Sequence, residues 1–423
     1  MKKLLYHLSI TGACITTLFS CLPQEPDYNN INVVSIDSVA MLDFAPSHYS
    51  LVADGRAELV LNTRLYRGMN EEIIPSRIQD DWIEYYTEQG EKIGKYINTI
   101  SATPKELRVY VQLKGYDRIT DEERRKYLRS DTLTIQFREP IPEDRYQEIT
   151  YPVIFHIIQT SDEIKNYGEV QPKRLLEYFD KLNQVFHGEL SNAANRGNAK
   201  ISFRLAEYDP LGRPLMNPGI NTYTLETGTI GKDYYTFIQN KGLNWDPEKY
   251  LNVWLIRGAE QPEGSLCRPY TVWENYPDNL PGLALKTVPR TGGQTQVASP
   301  EQSGILLDLT GVTSYNSDVQ DMLYYFGQYF GLLTNYGEKE AVENYCPDAL
   351  TYQVQPNYLK NIGYTKTTLF NQVTYMFIAE NIMDDPRSHH KNITPDQIAR
   401  IRTVTEWCPA RQAYRSDFAF TGK

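Results

Sequence analysis

The chain has 423 residues, of which 41% are hydrophobic and 23% charged, and its formal net charge is −10. This length predicts two or three domains, and the composition excludes a wholly disordered chain. The acidic balance, without any block of about five like charges, argues against nucleic acid as a partner. No apolar run of about 18 residues follows the N-terminus, which excludes a polytopic membrane protein.

Residues 1–20 have the pattern of a secretory signal peptide, with two lysines followed by a largely apolar stretch. Such a segment is removed from the mature protein. It ends in Leu18-Phe19-Ser20 before Cys21, which resembles the bacterial lipobox. The resemblance implies lipid attachment at Cys21 and a short polar tether over residues 21–30. An ordinary signal peptide with an incidental cysteine, or a short membrane anchor, is the alternative.

The position after Cys21 is Leu22, not the Asp that commonly retains lipoproteins in the inner membrane. We therefore expect an outer-membrane lipoprotein, at the periplasmic face or at the cell surface. Its membrane contact would be the lipid anchor alone, because several acyl chains on one residue give stable anchoring.

Between residues 31 and 142, apolar and polar residues alternate as they do in β-strands. The predicted strands are residues 32–39, 57–65, 107–113 and 132–137. Asp54-Gly55 is a turn signal of the kind found in hairpins. Residues 50–61 resemble the opening strands of bacterial Ig-like domains, which implies a β-sandwich that serves as a spacer.

A larger domain is predicted over residues 150–415. Its first elements are a buried strand (152–158), an amphipathic helix (170–196) and two further strands (199–205 and 250–256). This order is typical of an α/β sandwich. The fold class is therefore α+β, with an Ig-like β-sandwich followed by an α/β domain.

The apolar spacing of residues 318–334 predicts a buried helix that ends at Gly331. Met383 lies further on in Asn381-Ile382-Met383-Asp384, ahead of a predicted helix over 395–407. Taken with the preceding strands, this order resembles the metzincin zinc proteases of the pappalysin-like (cytophagalysin) branch. More narrowly, it resembles the metzincin lipoproteins of Gram-negative bacteria. The resemblance implies a metzincin-like domain in which Met383 forms the Met-turn beneath the zinc site.

The residues that bind zinc in that family are missing from the matching positions. The motif H-E-x-x-H-x-x-G-x-x-H supplies three imidazole ligands and a glutamate base. Its positions read Tyr324, Tyr325, Gln328, Gly331 and Thr334 in this chain. Gln and Thr are poor zinc ligands and no carboxylate replaces the base. The resemblance therefore implies the fold without the catalysis, with no catalytic residue, no metal and no cofactor.

Other residues offer little to rebuild a site. We interpret His156 and His187 as structural, and His389 and His390 as a surface pair in a polar loop that would bind metal only adventitiously. If Cys21 carries lipid, three cysteines remain, and they allow one disulfide and one free thiol in an oxidising compartment. The pairing is open among Cys267, Cys346 and Cys408.

Three functions remain open. The first is a surface pseudoprotease that binds a peptide or glycan in the former substrate cleft, where Tyr324, Tyr325 and Tyr329 offer contact surface. These tyrosines would equally well fill the space left by zinc. The second is an active zinc metallopeptidase with an unorthodox site, and the third is a structural or assembly role. An open tyrosine-lined groove favours ligand binding, whereas a groove closed by Tyr324 and Tyr325 favours the structural role.

Overall fold

The computed structural model describes residues 34–68, 71–99, 105–170, 172–190, 195–259, 271–277, 279–289, 300–310, 320–337, 342–354, 365–370, 373–386 and 388–423. The signal segment, the tether, Cys21 and Cys267 lie outside these ranges, and what is expected of them stays a prediction. Within the described ranges, no helix combines the length and the apolar character needed to cross a membrane.

The N-terminal part of the described chain consists of short strands. They are β1 (Met41–Pro46), β2 (Ser50–Val52), β3 (Glu58–Tyr66), β4 (Ile83–Thr87), β5 (Lys92–Ile93), β6 (Tyr96–Asn98), β7 (Glu106–Leu113) and β8 (Leu133–Arg138). One sheet has the strand order β1-β3-β6 and another has the order β2-β8-β7-β4-β5. Three of the four predicted strands are present as β3, β7 and β8. The strand predicted over 32–39 is wrong in its described part, where Ile36–Ser38 form a 3₁₀ turn.

The Asp54-Gly55 turn does not close a hairpin. Strand β2 pairs in parallel with β8, whereas β3 pairs antiparallel with β6. The turn itself is present, because Gly55 has a φ of +76° and Asp54 accepts the N–H of Arg56 at 2.8 Å. The turn therefore carries the chain from one sheet to the other. The Ig-like sandwich expected over residues 31–142 stays a prediction.

The described chain forms two compact units. The smaller unit contains residues up to Asp43, Arg64–Glu84 and Gln112–Ser130, and the larger contains Phe44–Thr63, Tyr85–Val111 and Asp131–Lys423. In the smaller unit, the Arg124 guanidinium donates from Nη2 to the carbonyl oxygens of Asp37 (2.8 Å) and Val39 (3.0 Å). These bonds fix the backbone before β1.

The remaining strands and the helices complete the mixed α/β chain. The strands are β9 (Ile149–Thr160), β10 (Ile201–Leu205), β11 (Ile220–Leu225), β12 (Leu251–Ile256), β13 (Thr271–Trp273), β14 (Lys286–Val288), β15 (Gly304–Asp308), β16 (Tyr336–Gly337), β17 (Tyr352–Gln353), β18 (Thr365–Phe370) and β19 (Val373–Ile378). The helices are α1 (Glu122–Arg125), α2 (Ser161–Tyr167), α3 (Lys173–Phe186), α4 (Tyr234–Asn240), α5 (Pro300–Ser303), α6 (Gln320–Tyr329), α7 (Pro395–Trp407) and α8 (Phe418–Thr421).

A parallel sheet built around β9 forms the centre of the larger unit. Strand β9 pairs with β10 along its first half, with β11 along its second half, and with β12 on its other edge. Strand β12 pairs in turn with β15. Because a parallel strand is covered on both faces, β9 and β12 read as nearly unbroken apolar runs, as predicted.

The side chains on the two faces of β9 pack into different hydrophobic clusters. Val153, Phe155 and Ile157 belong to the main core, together with residues of α3 and α6. Ile154 and Ile158 point to smaller clusters on the other face. The main core thus holds helix α6, which carries Tyr324, Tyr325 and Gln328, against the sheet.

Helix α3 is shorter than the predicted 170–196. It ends at Phe186, and Gly188 follows with a φ of +68°. A Cβ at Gly188 would lie 2.6 Å from the carbonyl oxygen of Gly197. Glycine at this position therefore permits both the turn and the close approach of the returning chain. The predicted helix over 395–407 matches α7.

Candidate functional site

Helix α6 carries three of the positions at which the zinc ligands and the glutamate of the motif are missing: Tyr324, Tyr325 and Gln328. Its buried face includes Leu323 and Phe326, each fully buried in the main core. Tyr324 and Tyr325 are half-buried and pack against the same core. Gly331 follows the helix with a φ of +82°. Within the described residues the helix ends at Tyr329, close to the end predicted at Gly331.

The polar groups at these positions bond to one another. The Nε2 of Gln328, which is 8% exposed, donates to the phenol oxygen of Tyr324 at 3.1 Å. The ring of Tyr325 meets the ring of Tyr324 edge-on, with centroids 5.4 Å apart. Thr334 donates from Oγ1 to the carbonyl oxygen of Tyr336 at 3.2 Å. The structure thus brings Tyr324, Tyr325 and Gln328 together and leaves Thr334 bonded within its own loop.

These side chains do not fit zinc. Protein ligands for zinc are thiolates, imidazoles and carboxylates. The matching positions offer a phenol, an amide and a hydroxyl, and the amide N–H of Gln328 donates to the phenol oxygen of Tyr324. In the described part of the chain, no group of three or more His, Cys, Asp or Glu side chains is arranged to hold a metal ion.

An aromatic row extends from helix α6 into the loops that follow it. The ring of Tyr324 lies 6.5 Å from that of Tyr336, which lies 6.4 Å from Tyr352, which lies 5.5 Å from Phe377. Burial raises the pKa of Tyr336 and of Tyr352 above the ordinary value, so both phenols stay protonated. Tyr336 and Tyr352 were not predicted, and the only signal in the sequence was the total of 32 tyrosines.

Met383 lies directly against helix α6. It is fully buried, and a Cβ built at Gly327 would lie 2.5 Å from its Sδ. Asn381 shapes the turn, because its Oδ1 accepts the N–H of Met383 at 3.0 Å. Asp384 accepts the N–H of Asn381 at 2.9 Å in return. The turn therefore places the Met383 side chain against Gly327, the glycine of helix α6.

A buried network of amides ties this turn to its neighbours. Asn335 donates its N–H to the carbonyl oxygen of Met383 at 2.9 Å and its Nδ2 to Asp384 at 3.0 Å. Asn344 donates to the Oδ1 of Asn335 at 2.8 Å. The amides of Asn381 and Gln397 bond to each other at 2.7 and 3.0 Å. No sequence motif marks these residues, and the bond from Asn335 to Asp384 joins residues that are 49 positions apart in the chain.

Gly327→Ala is expected to lower the free energy of unfolding by about 1–3 kcal/mol, although Ala favours helix over Gly by about 1 kcal/mol. The reason is the overlap of the added methyl with Met383. Urea denaturation would measure the loss. In the double variant Gly327→Ala/Met383→Ala, the combined loss should be smaller than the sum of the two single losses. Additive losses would contradict the contact.

The histidines do not form a site. His156 is fully buried in β9, donates from Nε2 to Asn252 at 3.0 Å and accepts from Asn221 at 2.9 Å. Burial lowers its pKa to about 4, so the ring stays neutral near pH 7. This arrangement agrees with a structural role for His156.

The prediction that His389 and His390 form a surface pair is wrong for His390. That residue is 1% exposed and donates from Nε2 to the carbonyl oxygen of Asp384 at 3.0 Å. Its φ is +45°, and its hydrogen bond connects it to the residue that follows Met383. His187 lies nearer the surface than expected of a core residue, beside Glu148 at 3.2 Å.

Cys346 and Cys408 are buried free thiols, so no disulfide joins these two residues of the described chain. Burial raises the pKa of each thiol to about 12. Thiolates are the nucleophilic form of cysteine, and neither residue is therefore poised for nucleophilic attack.

Asp348 connects the loop after β16 to the start of α7. Its carboxylate accepts the hydroxyl of Thr394 at 2.6 Å and the N–H of Asp396 at 2.9 Å. Burial, together with the neighbouring Asp396 carboxylate, raises its pKa from the ordinary 3.8 to about 7. Since the folded chain then holds a proton that the unfolded chain has lost, its stability falls as the pH rises between these two values.

Asp348→Asn should therefore reduce the loss of stability between about pH 5 and pH 8, because Asn keeps the size of the side chain without ionising. The measurement is urea denaturation of both proteins at the two pH values. Asp162→Asn, at an exposed position, is the matched control and should leave the difference unchanged. An equal loss in wild type and Asp348→Asn would show that Asp348 is already ionised in the folded chain at pH 5.

No protein-family model matches this chain, and no curated protein matches it. Among solved structures, the fold resembles mature mirolysin of Tannerella forsythia in complex with a cleaved peptide, at 17% identity and a TM-score of 0.43, over 66% of this chain and 99% of that one. It also resembles a promirolysin mutant of Tannerella forsythia (18%, TM-score 0.40, 66% and 87%) and mirolysin in complex with compound 9 (18%, 0.41, 66% and 99%). These values are too low to assign a family or an activity.

Proposed function

We propose that this chain is an outer-membrane lipoprotein, anchored through Cys21, whose metzincin-like domain has lost its zinc chemistry and binds a peptide or glycan beside helix α6. The observation that supports the loss of catalysis is the hydrogen bond from Gln328 to Tyr324. In this bond Gln328 points an N–H group at Tyr324, and the Tyr324 oxygen accepts it with a lone pair. A metal at these two positions would need lone pairs from both side chains. Tyr325 occupies the position of the catalytic glutamate and cannot act as a carboxylate base.

The half-buried tyrosines support ligand binding at the same place. Tyr324 and Tyr325 pack against the core on one side and keep part of their surface exposed. Tyrosine is favoured at contact surfaces because it offers a large rigid area with a polar tip. The neighbouring ring of Tyr336 extends this surface beyond the helix.

The test is the zinc content of the full chain after dialysis against trace zinc, followed by incubation with casein. We expect well below one zinc per chain and no cleavage, with an active zinc protease treated in the same way as the positive control. Stoichiometric zinc together with casein cleavage would overturn the proposal and favour an active metallopeptidase with an unorthodox site.

The packing of Tyr324 and Tyr325 against the main core also favours a second candidate, a structural or assembly role in which these rings fill the former zinc site. Tyr324→Ala separates the two candidates. Under the structural role, the variant loses stability, and wild type binds no member of a set of random-sequence peptides and glycans. Under the binding role, wild type retains a ligand from that set and the variant loses it.

A further inference from the structure

A groove follows one edge of the central sheet, at strand β10. This strand pairs with β9 on one side and with no other described strand. Helix α3 forms one wall of the groove and the loop of residues 207–218 forms the other. The groove has a volume of about 560 Å³, which is typical of ligand pockets. None of its described lining residues belongs to helix α6.

The two walls of the groove lie against opposite faces of the sheet. Phe179 of α3 belongs to the main core, where its ring meets that of Phe155 edge-on with centroids 5.9 Å apart. Leu215 of the loop packs with Ile154 and Ala206 in a cluster on the other face. Because successive side chains of a strand point to opposite faces, a strand added along β10 would direct its side chains alternately toward α3 and toward the loop.

The outer edge of β10 has backbone groups that can pair with another chain. Ala206 donates its N–H to the carbonyl oxygen of Val153 at 2.9 Å, so the backbone groups of Phe203 and Leu205 point away from β9. At Phe203, the Asn183 side chain takes the place of a neighbouring strand, since it accepts the N–H at 2.7 Å and donates to the carbonyl oxygen at 3.0 Å. The N–H and C=O groups of Leu205 have no partner among the described residues. Such an edge can accept an extended chain.

The loop wall is preformed and offers apolar contact surface. The Asp209 carboxylate accepts the N–H of Leu211 at 2.9 Å and that of Arg213 at 3.0 Å. These bonds fix the loop, yet the side chains of Leu211 and Met216 are 74% and 95% exposed. Two large apolar side chains exposed on one fixed loop suit a partner that has apolar side chains on this side.

The charges of the groove favour a basic partner. Arg204 pairs with Glu207, and its guanidinium lies 4.4 Å from the centre of the Phe420 ring. Asp180, on the α3 wall, is exposed and has no hydrogen bond or ion pair within the described chain. A lysine or arginine on the α3 side of an added strand would complement this carboxylate. The net charge of −10 disfavours a second copy of the chain as the occupant.

We propose that the edge of β10 is a docking site for an extended peptide segment of a partner protein, in which basic residues alternate with apolar ones. The segment pairs with the backbone at Leu205, directs its basic side chains toward Asp180 and directs its apolar side chains toward the loop of residues 207–218. Addition of a strand to a sheet edge is an established mode of peptide recognition. The site is separate from the surface proposed at helix α6, and the proposal does not depend on whether the chain has lost zinc chemistry.

The test measures binding of the fluorescein-labelled peptide Val-Lys-Val-Lys-Val to the full chain by fluorescence anisotropy. We expect saturable binding, at least about fivefold tighter than that of Val-Glu-Val-Glu-Val. Asp180→Lys should weaken binding of the basic peptide by at least about fivefold and strengthen binding of the acidic one. Glu177→Lys is the matched control, because Glu177 is exposed on the same helix and does not line the groove. It should bind both peptides within about twofold of wild type.

Methylation of the peptide nitrogens tests the pairing with the backbone of β10. Alternate residues of a strand point their N–H groups to the same side, so methylation of one set, the lysine or the valine nitrogens, should lower the affinity by at least about tenfold. Methylation of the other set should have little effect. Equal effects of the two sets would overturn the pairing with β10.

Two further results would overturn the proposal. One is the absence of saturable binding of the basic peptide to wild type, or an equal weakening by Asp180→Lys and Glu177→Lys. The other is a dimer, detected by size-exclusion chromatography with light scattering, that the basic peptide dissociates. That result would assign the edge of β10 to a second copy of the chain instead.

Discussion

Arg411→Ala is expected to lower the free energy of unfolding by about 3–5 kcal/mol. Arg411 is fully buried, and its guanidinium lies 3.7 Å from the centre of the Tyr329 ring. Its Nε donates to the carbonyl oxygen of Tyr329 at 2.6 Å, and its Nη1 donates to the carbonyl oxygens of Gln302 and Ala410. One side chain therefore joins the end of helix α6, the segment before β15 and the C-terminal region.

Removal of this guanidinium leaves buried carbonyl oxygens without their donors and opens a cavity, so the two costs act together. Urea denaturation would measure the change in the free energy of unfolding. Arg411→Lys should recover part of the stability, because an ammonium keeps the charge but cannot reach several carbonyls at once. Arg415→Ala, at an exposed position in the same segment, should change stability by less than about 0.5 kcal/mol. A loss below about 1 kcal/mol in Arg411→Ala would contradict the role assigned here.

The elements of the larger unit were predictable because their patterns are local. The unbroken apolar run around Phe155 predicts a strand covered on both faces, and the spacing of Leu175, Phe179 and Leu182 predicts the buried face of α3. These residues are buried as expected. Boundaries were less accurate, since helix ends depend on contacts such as that between Gly188 and Gly197, which no local pattern reveals.

Pairing in the N-terminal sheets was not predictable from the turn alone. A turn signal at Asp54-Gly55 specifies a change of direction, but the partner of each strand is decided by burial on the sheet faces. Strand β2 pairs with β8, which lies more than 80 residues further along the chain. The sequence between the two strands contains no pattern that predicts this pairing.

The resemblance named Tyr324, Tyr325, Gln328 and Thr334 as the positions to compare with the zinc motif, but it did not predict what these side chains bond to. The hydrogen bond between Gln328 and Tyr324 follows from helical spacing, because residues four apart share one face. The hydrogen bonds that Asn335 and Asn381 donate to the Asp384 carboxylate follow from no spacing rule. These bonds form because the fold places the loop after α6 against the Met383 turn.

Introducing the motif H-E-x-x-H-x-x-G-x-x-H at these positions should create a zinc site. In the quadruple variant Tyr324→His/Tyr325→Glu/Gln328→His/Thr334→His, two imidazoles would share the face of α6 on which Tyr324 and Gln328 already meet. Gly331 already has the positive φ that turns the chain after the helix, and Met383 already packs against the helix at Gly327. We therefore expect one tightly bound zinc per chain, measured by titration with a chromophoric chelator as competitor.

The triple variant that keeps Thr334 is the matched control, because it has the two helical imidazoles and lacks the third ligand. Its zinc affinity should be at least about tenfold weaker than that of the quadruple variant, since structural and catalytic zinc sites need three or more protein ligands. Circular dichroism must show that both variants are folded. A folded quadruple variant that binds zinc no better than the triple variant would mean that residue 334 does not approach the helix face. The metzincin-like arrangement of helix, glycine turn and third ligand would then be wrong for this chain.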